Sequence, residues 1–308
     1  MSPTRERFPD PKTLGAAPGG TKRPFSMEVE FHDEVTPTQR EAFRTAVGRW
    51  LKVIVAGGPP VDAGGETIES LLILAKCEKL DREGGLSANT DLDPTAIRKD
   101  SVGPTAGLPG KATITLDATD MQALDAEEAA TAGSAHPGPG QASAQKRIQH
   151  YRVDLIAHEI GHALGLSRAV WDHKKLLNTN RHTRSPVFIG PAAARAYGAA
   201  LQHGPTPVPL EPFGDQEQFI AHWRQAIFHS ELMTFILEDS PNVIGPVTVA
   251  ALQDLGYEVD PGGVETNKID FSGSGPGGPV LPVEALGHPT HRALRDLRWI
   301  NCRVQVKG

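Results

Sequence analysis

Cysteine is scarce in this 308-residue sequence, which contains only Cys77 and Cys302. Two cysteines so far apart cannot make a disulfide framework, so the sequence is not that of a small disulfide-stabilised domain. An excess of basic charge is also absent, because the formal net charge is -6 at pH 7. The sequence therefore supplies no basic face for phosphates, and we expect neither nucleic-acid binding nor attraction to anionic membranes.

Long hydrophobic runs are missing as well. No run is long enough to span a bilayer, and the N-terminal stretch MSPTRERFPDPKTLGAAPGGTKRPF has no apolar core of signal-peptide length. We therefore expect no membrane span and no Sec-type leader, which leaves a cytoplasmic location, leaderless export, or a leader already removed. The hydrophobic fraction of 39% is enough for a core, and we assume a monomer.

Hydrophobic periodicity predicts an α+β arrangement in the first half of the chain. Met27–Phe31 alternates apolar and acidic residues, as a half-buried strand does. Thr36, followed by a proline and then a glutamine at the third position, predicts a capped helix that the glycines at 57 and 58 would end. Two further strands are predicted at residues 68–75, whose unbroken apolar run suits a central strand, and at residues 111–116.

Loop-like and helical segments follow. Residues 81–110 and 131–144 are rich in glycine, proline and small or polar residues, which predicts loops or linkers. From about Arg147, apolar residues recur at steps of three and four, which predicts a helix packed on the sheet. Residues 167–216 are predicted to be mostly irregular, apart from one short helix at 190–201.

This predicted helix carries a candidate metal site in residues 155–167, LIAHEIGHALGLS. His158 and His162 are four residues apart and therefore share one helical face, with Glu159 beside them. Imidazole nitrogen is a good zinc ligand, although the bare HExxH pattern also occurs by chance. Gly165 stands where the helix would end in a sharp turn, which favours the metal-site interpretation.

A catalytic zinc site needs a third protein ligand. In the compact metzincin pattern that ligand comes three residues after the glycine, but here the position holds Arg168, whose guanidinium has no lone pair to give. The third ligand is therefore either missing or delayed by an insertion. Spacing alone does not choose among the candidates Asp172, His173, His182, His203, His222, His229, Glu211 and Glu231.

Three separated stretches resemble a known family. HEIGHALGLS is followed, after a long insertion, by PVPLEPFGDQEQFIAHWRQAIFHSELMT and then by VTVAALQDLGYEVD. Their order and spacing are similar to those of the leishmanolysin family of zinc metalloendopeptidases, especially its smaller bacterial members, over about residues 25–260. That family delays its third histidine by an insertion. The resemblance implies that His222 is the third ligand and Met233 the Met-turn methionine beneath the metal.

The resemblance also implies a fold and a division of the chain. The fold is expected to be α+β and metzincin-like: a twisted, mixed N-terminal sheet with a backing helix and an active-site helix, then a mostly irregular C-terminal subdomain. Residues 25–166 would form the first catalytic subdomain, and residues 167–260 the second, with the third ligand and the Met-turn. Residues 1–24 are expected to be a flexible arm, and residues 261–308 a linker and tail rich in glycine and proline.

The implied activity is the hydrolysis of peptide bonds in proteins or peptides. Zn²⁺ held by three histidines would lower the pKa of a water towards about 7, and Glu159 would act as the general base that removes its proton. Residues 111–116, as an edge strand above the cleft, would bind an extended substrate by strand addition. Ile114→Pro would then raise KM or abolish cleavage.

Two other interpretations stay open from the sequence. A non-catalytic adhesion or interaction protein could retain a metzincin scaffold, although a structural zinc site has no use for Glu159. A thermolysin-type zinc peptidase would instead take a glutamate as its third ligand, and Glu231 is the candidate. Cleavage of a fluorogenic peptide that a chelator stops would exclude the non-catalytic protein. Finding Glu231 and not His222 within bonding distance of zinc would support the thermolysin-type peptidase.

Overall fold

The fold combines a mixed sheet with packed helices. The structure, a computed structural model, describes residues 3–9, 24–99, 103–132, 139–179, 185–212, 219–238, 241–265 and 304–306. Within these ranges the strands are β1 (Thr4–Phe8), β2 (Met27–Phe31), β3 (Ile54–Ala56), β4 (Val61–Ala63), β5 (Glu66–Ile68), β6 (Leu71–Glu78), β7 (Ala88–Leu92), β8 (Lys111–Asp117), β9 (Leu177–Asn178), β10 (Val187–Phe188), β11 (Val208–Pro209), β12 (Glu258–Val259) and β13 (Val304–Val306). The helices are α1 (Pro37–Leu51), α2 (Ala118–Ala132), α3 (Pro139–Ala163), α4 (Arg168–His173), α5 (Pro191–Ala200), α6 (Gln225–Phe228) and α7 (Pro246–Leu255). This content confirms the predicted α+β class.

The main sheet has six strands in the spatial order β1-β2-β6-β8-β7-β13. Strands β2, β6 and β8 are parallel, whereas β1 and β7 run antiparallel to their neighbours β2 and β8. The predicted strand at Met27–Phe31 is confirmed, and its apolar residues point into the core. The central strand is also confirmed as β6, although it begins at Leu71, because residues 66–68 belong to a separate hairpin.

The prediction that residues 111–116 form an edge strand is wrong. These residues lie in β8, which pairs with β6 on one side and with β7 on the other, so its backbone is not free to receive a peptide. Strand β7 comes instead from the segment that was predicted to be a loop. Its sequence, ANTDL, alternates buried and half-buried residues, but only its last residue is strongly apolar, so the hydrophobic pattern was too weak to reveal it.

The predicted flexible arm is also corrected. Thr4–Phe8 forms the outer strand β1, paired along its whole length with β2. The pairing is reinforced by charge, since the Arg5 guanidinium lies 2.7 Å from the Glu30 carboxylate. Residues 10–23 of that arm lie outside the described part of the chain, as does most of the predicted tail, but Val304–Val306 of the tail forms β13 beside β7.

The ends of the helices agree with the sequence prediction at some positions and differ from it at others. The predicted capping box is present at α1, where the Thr36 hydroxyl accepts from the Gln39 backbone N–H and the Gln39 side chain accepts from the Thr36 N–H. The helix ends at Leu51 and not at residues 57–58, because the next residues form β3 and pair with β12. The linker predicted at 131–144 is helical in its described parts, at the end of α2 and the start of α3.

Helix α3 connects the rest of the fold to the HExxH motif. It packs against helices α1 and α2 and against strands β7 and β8. The indole N–H of Trp50 on α1 donates a 2.8 Å hydrogen bond to the backbone oxygen of Ala157, one residue before the motif. No helix in the described ranges is both long enough and apolar enough to cross a membrane.

A buried polar network fixes α3 to the C-terminal part of the chain. Asp154 lies 2.6 Å from the guanidinium of Arg49 and accepts a 2.8 Å hydrogen bond from the backbone N–H of Asn242. Arg49 also contacts the carboxylate of Glu265 at 2.7 Å. Helices α1 and α3 and residues 241–265 are thereby held together one turn before the motif.

We expect Asp154→Ala to lower the free energy of unfolding by about 1–3 kcal/mol, because it removes one of the two carboxylates that pair with Arg49 and leaves the buried Asn242 N–H without its acceptor. Chemical denaturation measures the loss. A matched control is Asp172→Ala, which removes an exposed i,i+4 pair with Arg168 and should cost no more than about 0.5 kcal/mol. Equal losses in the two variants would contradict the network's importance.

Candidate metal centre

Helix α3 places the first two candidate ligands side by side in the protein interior. His158 and His162 are four residues apart, so one turn of helix aligns them on the same face. Both rings are fully buried, and their Nε2 atoms lie 3.0 Å apart. His158 and His162 therefore share one face of a helix, as their spacing in the motif predicts.

The turn after the helix orients the second histidine. Gly165 has a φ of 101°, a left-handed conformation that strongly favours glycine. The turn directs the backbone N–H of Leu166 back to the Gly161 oxygen, and the Leu166 oxygen lies 2.6 Å from Nδ1 of His162. Glycine at position 165 therefore lets the chain reverse and fix the His162 ring.

A third histidine reaches the pair from a distant segment. Nε2 of His222 lies 3.2 Å from Nε2 of each helical histidine, and its side chain is also fully buried. Backbone hydrogen bonds hold this segment on both sides: the Glu211 N–H donates to the His222 oxygen, and the Trp223 N–H donates to the Met233 oxygen. In the described part of the chain, these histidines are the group of residues close enough to share a metal ion.

The chemistry of the three rings fits a cation such as zinc. Nδ1 of His158 and Nδ1 of His162 each lie 2.6 Å from a backbone carbonyl oxygen, so both carry their proton on Nδ1 and present a lone pair at Nε2. Two such lone pairs 3.0 Å apart repel one another unless a cation lies between them. Nitrogens about 2.0–2.1 Å from one tetrahedral zinc ion are about 3.3 Å apart, close to the spacing seen.

Burial favours the neutral forms of His158 and His162, and the neutral form is the one that binds a metal. Burial lowers the pKa of His158 well below its usual value, and the neighbouring charge of His162 lowers it further. Burial also lowers the pKa of His162 to about 4. At neutral pH both imidazoles therefore have a free lone pair, and no proton has to be removed before a metal binds.

Glu159 lies next to the cluster with its carboxylate fully buried. The hydroxyl of Thr90, on β7, donates a short hydrogen bond to Oε2 of Glu159 and lies 3.2 Å from the Glu159 backbone oxygen. Sequence reasoning missed Thr90, because it sits in a segment predicted to be a loop. The contact places β7 beside the candidate metal centre.

Met233 packs directly against the helix that carries the histidines. It is buried, and a Cβ added at Gly161 would lie only 2.5 Å from the Met233 sulfur and 3.1 Å from the ring of Trp50. Glycine between the two helical histidines is therefore what allows this close approach. The role of Gly161 was also missed from the sequence, where nothing distinguishes it from an ordinary helix glycine.

The other candidates for a third ligand lie elsewhere. Asp172 is exposed and pairs with Arg168, and the ring of His173 packs against Gly107. His203 and His229 lie outside the cluster, and His182 lies outside the described residues. The two glutamates are held by other groups: Glu211 accepts from the Gln225 N–H, and Glu231 from the Met233 N–H.

Comparison with known families agrees with this geometry. The leishmanolysin family model matches residues 105–266, more than half of the 308-residue chain, and this range includes all three histidines and Met233. A search of curated proteins found no match. The similarity suggested for residues 25–104 lies outside the matched range and stays a prediction. With its mixed sheet and packed helices the fold is metzincin-like, and the chain belongs to the leishmanolysin family of metallopeptidases.

Proposed function

We propose that this protein is a zinc-dependent endopeptidase that hydrolyses peptide bonds of proteins, with His158, His162 and His222 as metal ligands and Glu159 as general base. The observation that carries the proposal is the convergence of three buried Nε2 atoms within 3.0–3.2 Å. Leishmanolysin-family peptidases depend on zinc, which supports the choice of metal. A donor set of three imidazoles leaves a fourth position free for water and substrate.

Zinc bound by the histidines would lower the pKa of a water towards about 7 and polarise the carbonyl of the scissile bond. Glu159 takes a proton from the attacking water, whose oxygen forms the new bond to the carbonyl carbon. As the C–N bond breaks, Glu159 returns that proton to the leaving amine. The hydroxyl of Thr90 holds Oε2 of Glu159, which restricts the carboxylate to one orientation during both proton transfers.

The two competing interpretations receive less support. A purely structural or adhesive zinc protein has no use for a buried carboxylate beside its ligands, yet Glu159 is buried there. A thermolysin-type site would need the carboxylate of Glu231 among the ligands. That carboxylate accepts hydrogen bonds from Met233, Gly245 and Thr248, so its lone pairs are already engaged away from the histidines.

Chelator-sensitive peptidase activity tests the proposed function. The zinc-loaded protein should cleave casein or a quenched fluorogenic peptide, lose this activity in a zinc chelator, and regain it when zinc is restored. Cleavage that persists after the metal content has fallen to background would contradict metal dependence. Zinc binding without cleavage of any casein or mixed-peptide substrate would favour the interaction-protein interpretation.

We also propose that an extended substrate binds along the outer edge of β7. Thr90 belongs to this strand and touches Glu159, so a peptide paired with β7 would run beside the general base. Strand addition supplies main-chain hydrogen bonds with little sequence preference, which suits an endopeptidase. The same edge is paired over Thr90–Leu92 with β13, so substrate and β13 would compete for it.

This competition predicts an activating substitution in β13. Changing Val304 and Val306 together to proline removes backbone N–H groups that a strand needs, and should free the β7 edge. KM for a short peptide should then fall on the order of fivefold, the factor for about 1 kcal/mol of competing strand pairing, with kcat unchanged. The control changes both valines to isoleucine, which keeps strand propensity. An unchanged KM in the proline variant would contradict competition at β7.

A further inference from the structure

A fully buried carboxylate, Glu231, lies behind the histidine cluster without belonging to it. Its Oε2 accepts a 2.6 Å hydrogen bond from the backbone N–H of Met233, and its Oε1 accepts one of 3.1 Å from the N–H of Gly245. The hydroxyl of Thr248, on α7, donates a further short hydrogen bond to Oε1. One side chain therefore connects the turn at residues 231–233 with the start of α7.

The backbone of that turn contacts one proposed ligand, His158, and the residue that follows another, His222. The oxygen of Leu232 lies 2.6 Å from Nδ1 of His158, and so sets the orientation of that ring. The oxygen of Met233 accepts a 3.0 Å hydrogen bond from the backbone N–H of Trp223, the residue after His222. A shift of the turn would consequently move a ligand on α3 and the ligand from the distant segment together.

Thr248 provides a second connection to the distant segment. The indole N–H of Trp223 donates a 2.7 Å hydrogen bond to the Thr248 hydroxyl oxygen, and that hydroxyl donates its own proton to Glu231. All three side chains are fully buried. Trp223 is also fixed by stacking on Trp171, with ring centroids 5.5 Å apart. The orientation of Trp223, the residue next to His222, is therefore set both by this stacking and by the hydrogen bonds that run through Thr248 to Glu231.

We propose that Glu231 and Thr248 are positioning residues that hold His158 and His222 at zinc-binding distance from each other. This inference rests on the proposed function, because it concerns the same metal centre. Burial raises the pKa of Glu231 to about 7, and the groups that donate hydrogen bonds to its carboxylate are the N–H groups of Met233 and Gly245 and the Thr248 hydroxyl. Burying a carboxyl group costs free energy unless it is hydrogen-bonded, and the three donors to Glu231 offset that cost. The same three hydrogen bonds hold its side chain in one geometry.

The test compares two substitutions at Thr248 by the rate at which zinc passes to a chromophoric chelator. Thr248→Val keeps the shape but removes the hydroxyl, whereas Thr248→Ser keeps the hydroxyl. We expect the valine variant to lose zinc about tenfold faster than wild type, the lower end of the effect of losing a direct partner of a metal ligand, because Thr248 acts on the ligands through Glu231 and Trp223. The serine variant should behave like wild type.

Leu72→Ala controls for general destabilisation, because Leu72 is buried in a small separate core with Ala63, Ile68 and Ala96. It should lower the unfolding temperature without accelerating zinc loss. Equal rates of zinc loss in Thr248→Val and Leu72→Ala, at matched unfolding temperatures, would overturn the positioning role.

Trp223→Phe provides a second variant if Thr248→Val does not fold. It removes the indole N–H at the other end of the connection, and should also accelerate zinc loss; a wild-type rate would count against the inference.

A failure of the proposed function would give a different result from a failure of the positioning role. Wild-type protein that neither retains zinc nor cleaves peptides would refute the enzyme, whereas active wild type with unaffected variants would refute only the positioning role.

Discussion

Replacing Glu159 with alanine should abolish peptide hydrolysis while leaving the metal in place. The carboxylate is not one of the three converging nitrogen donors, so its removal takes no ligand away. What is lost is the group that accepts the proton of the attacking water and returns it to the amine. General acid–base catalysis of this kind contributes about 10²–10⁴-fold, so kcat should fall by at least that factor with little change in KM.

Two further variants make this result specific. Glu159→Gln keeps the shape of the side chain and its contact with Thr90, but cannot take a proton, and should be as inactive as the alanine variant. Glu41→Ala removes an exposed glutamate of α1 and should be fully active. Turnover of a fluorogenic peptide and zinc content by elemental analysis are measured on each protein. A Glu159→Ala variant that cleaves casein at the wild-type rate would refute the general-base role.

Replacing His222 with alanine should, unlike the change at Glu159, cause the protein to lose the metal itself. Two histidines on one helix hold zinc far more weakly than three converging donors, and the lost ring also provided part of the apolar enclosure through its contact with Phe235. Zinc affinity should fall by more than about 100-fold, beyond the 10–100-fold typical of an outer partner. Peptidase activity should then recover only at high added zinc.

His229→Ala is the matched control for this loss. His229 is seven residues further along the chain, and its side chain is 58% exposed and outside the cluster. Its removal should leave zinc content and activity unchanged. Undiminished zinc in His222→Ala, measured after exhaustive dialysis, would mean that another residue is the third ligand.

Sequence reasoning succeeded where a short-range rule decides the structure. The spacing of His158 and His162 is sufficient to put them on one helical face, and glycine at 165 suffices to end that helix. The capping signals around Thr36 fixed the start of α1 in the same way. Each of these features depends on residues within one or two helical turns.

The third histidine required information of another kind. His222 is 60 positions after His162, the segment between them shows little periodicity, and no local rule says which distal histidine returns to the helix. The family resemblance selected His222 from a set of eight candidates, and the structure brings its Nε2 within 3.2 Å of both partners. Local spacing would have left Asp172, His173 and the others equally eligible.

Strands whose sequences are polar were the main failures. Strand β7 places Thr90 against Glu159, the proposed general base, yet it was predicted to be a loop because polar residues dominate it. Strand β1 was assigned to a flexible arm because charge and proline surround it, although its charged residues pair with β2 and its neighbours. In both cases pairing with a neighbouring strand, which a single sequence does not reveal, decides the structure.

The buried hydrogen bonds from Trp223 through Thr248 to Glu231 could not be predicted from the sequence either. Glu231 was considered only as a possible ligand, because a glutamate near a metal motif has that obvious role. Its actual partners come from the turn after it and from α7, between 2 and 17 residues away. Contacts of this kind depend on how the start of α7 packs against the turn at residues 231–233, which follows from the tertiary fold and not from spacing.

Direct observation of the zinc ligands tests the central claim most directly. In a crystal structure of the zinc-loaded protein, one ion should lie about 2.0–2.1 Å from Nε2 of His158, His162 and His222 together. The Glu159 carboxylate should lie beside the ion and should not be one of its protein ligands. A zinc ion bound by Glu231 or by another histidine, with the His222 ring turned away, would contradict the proposed metal centre.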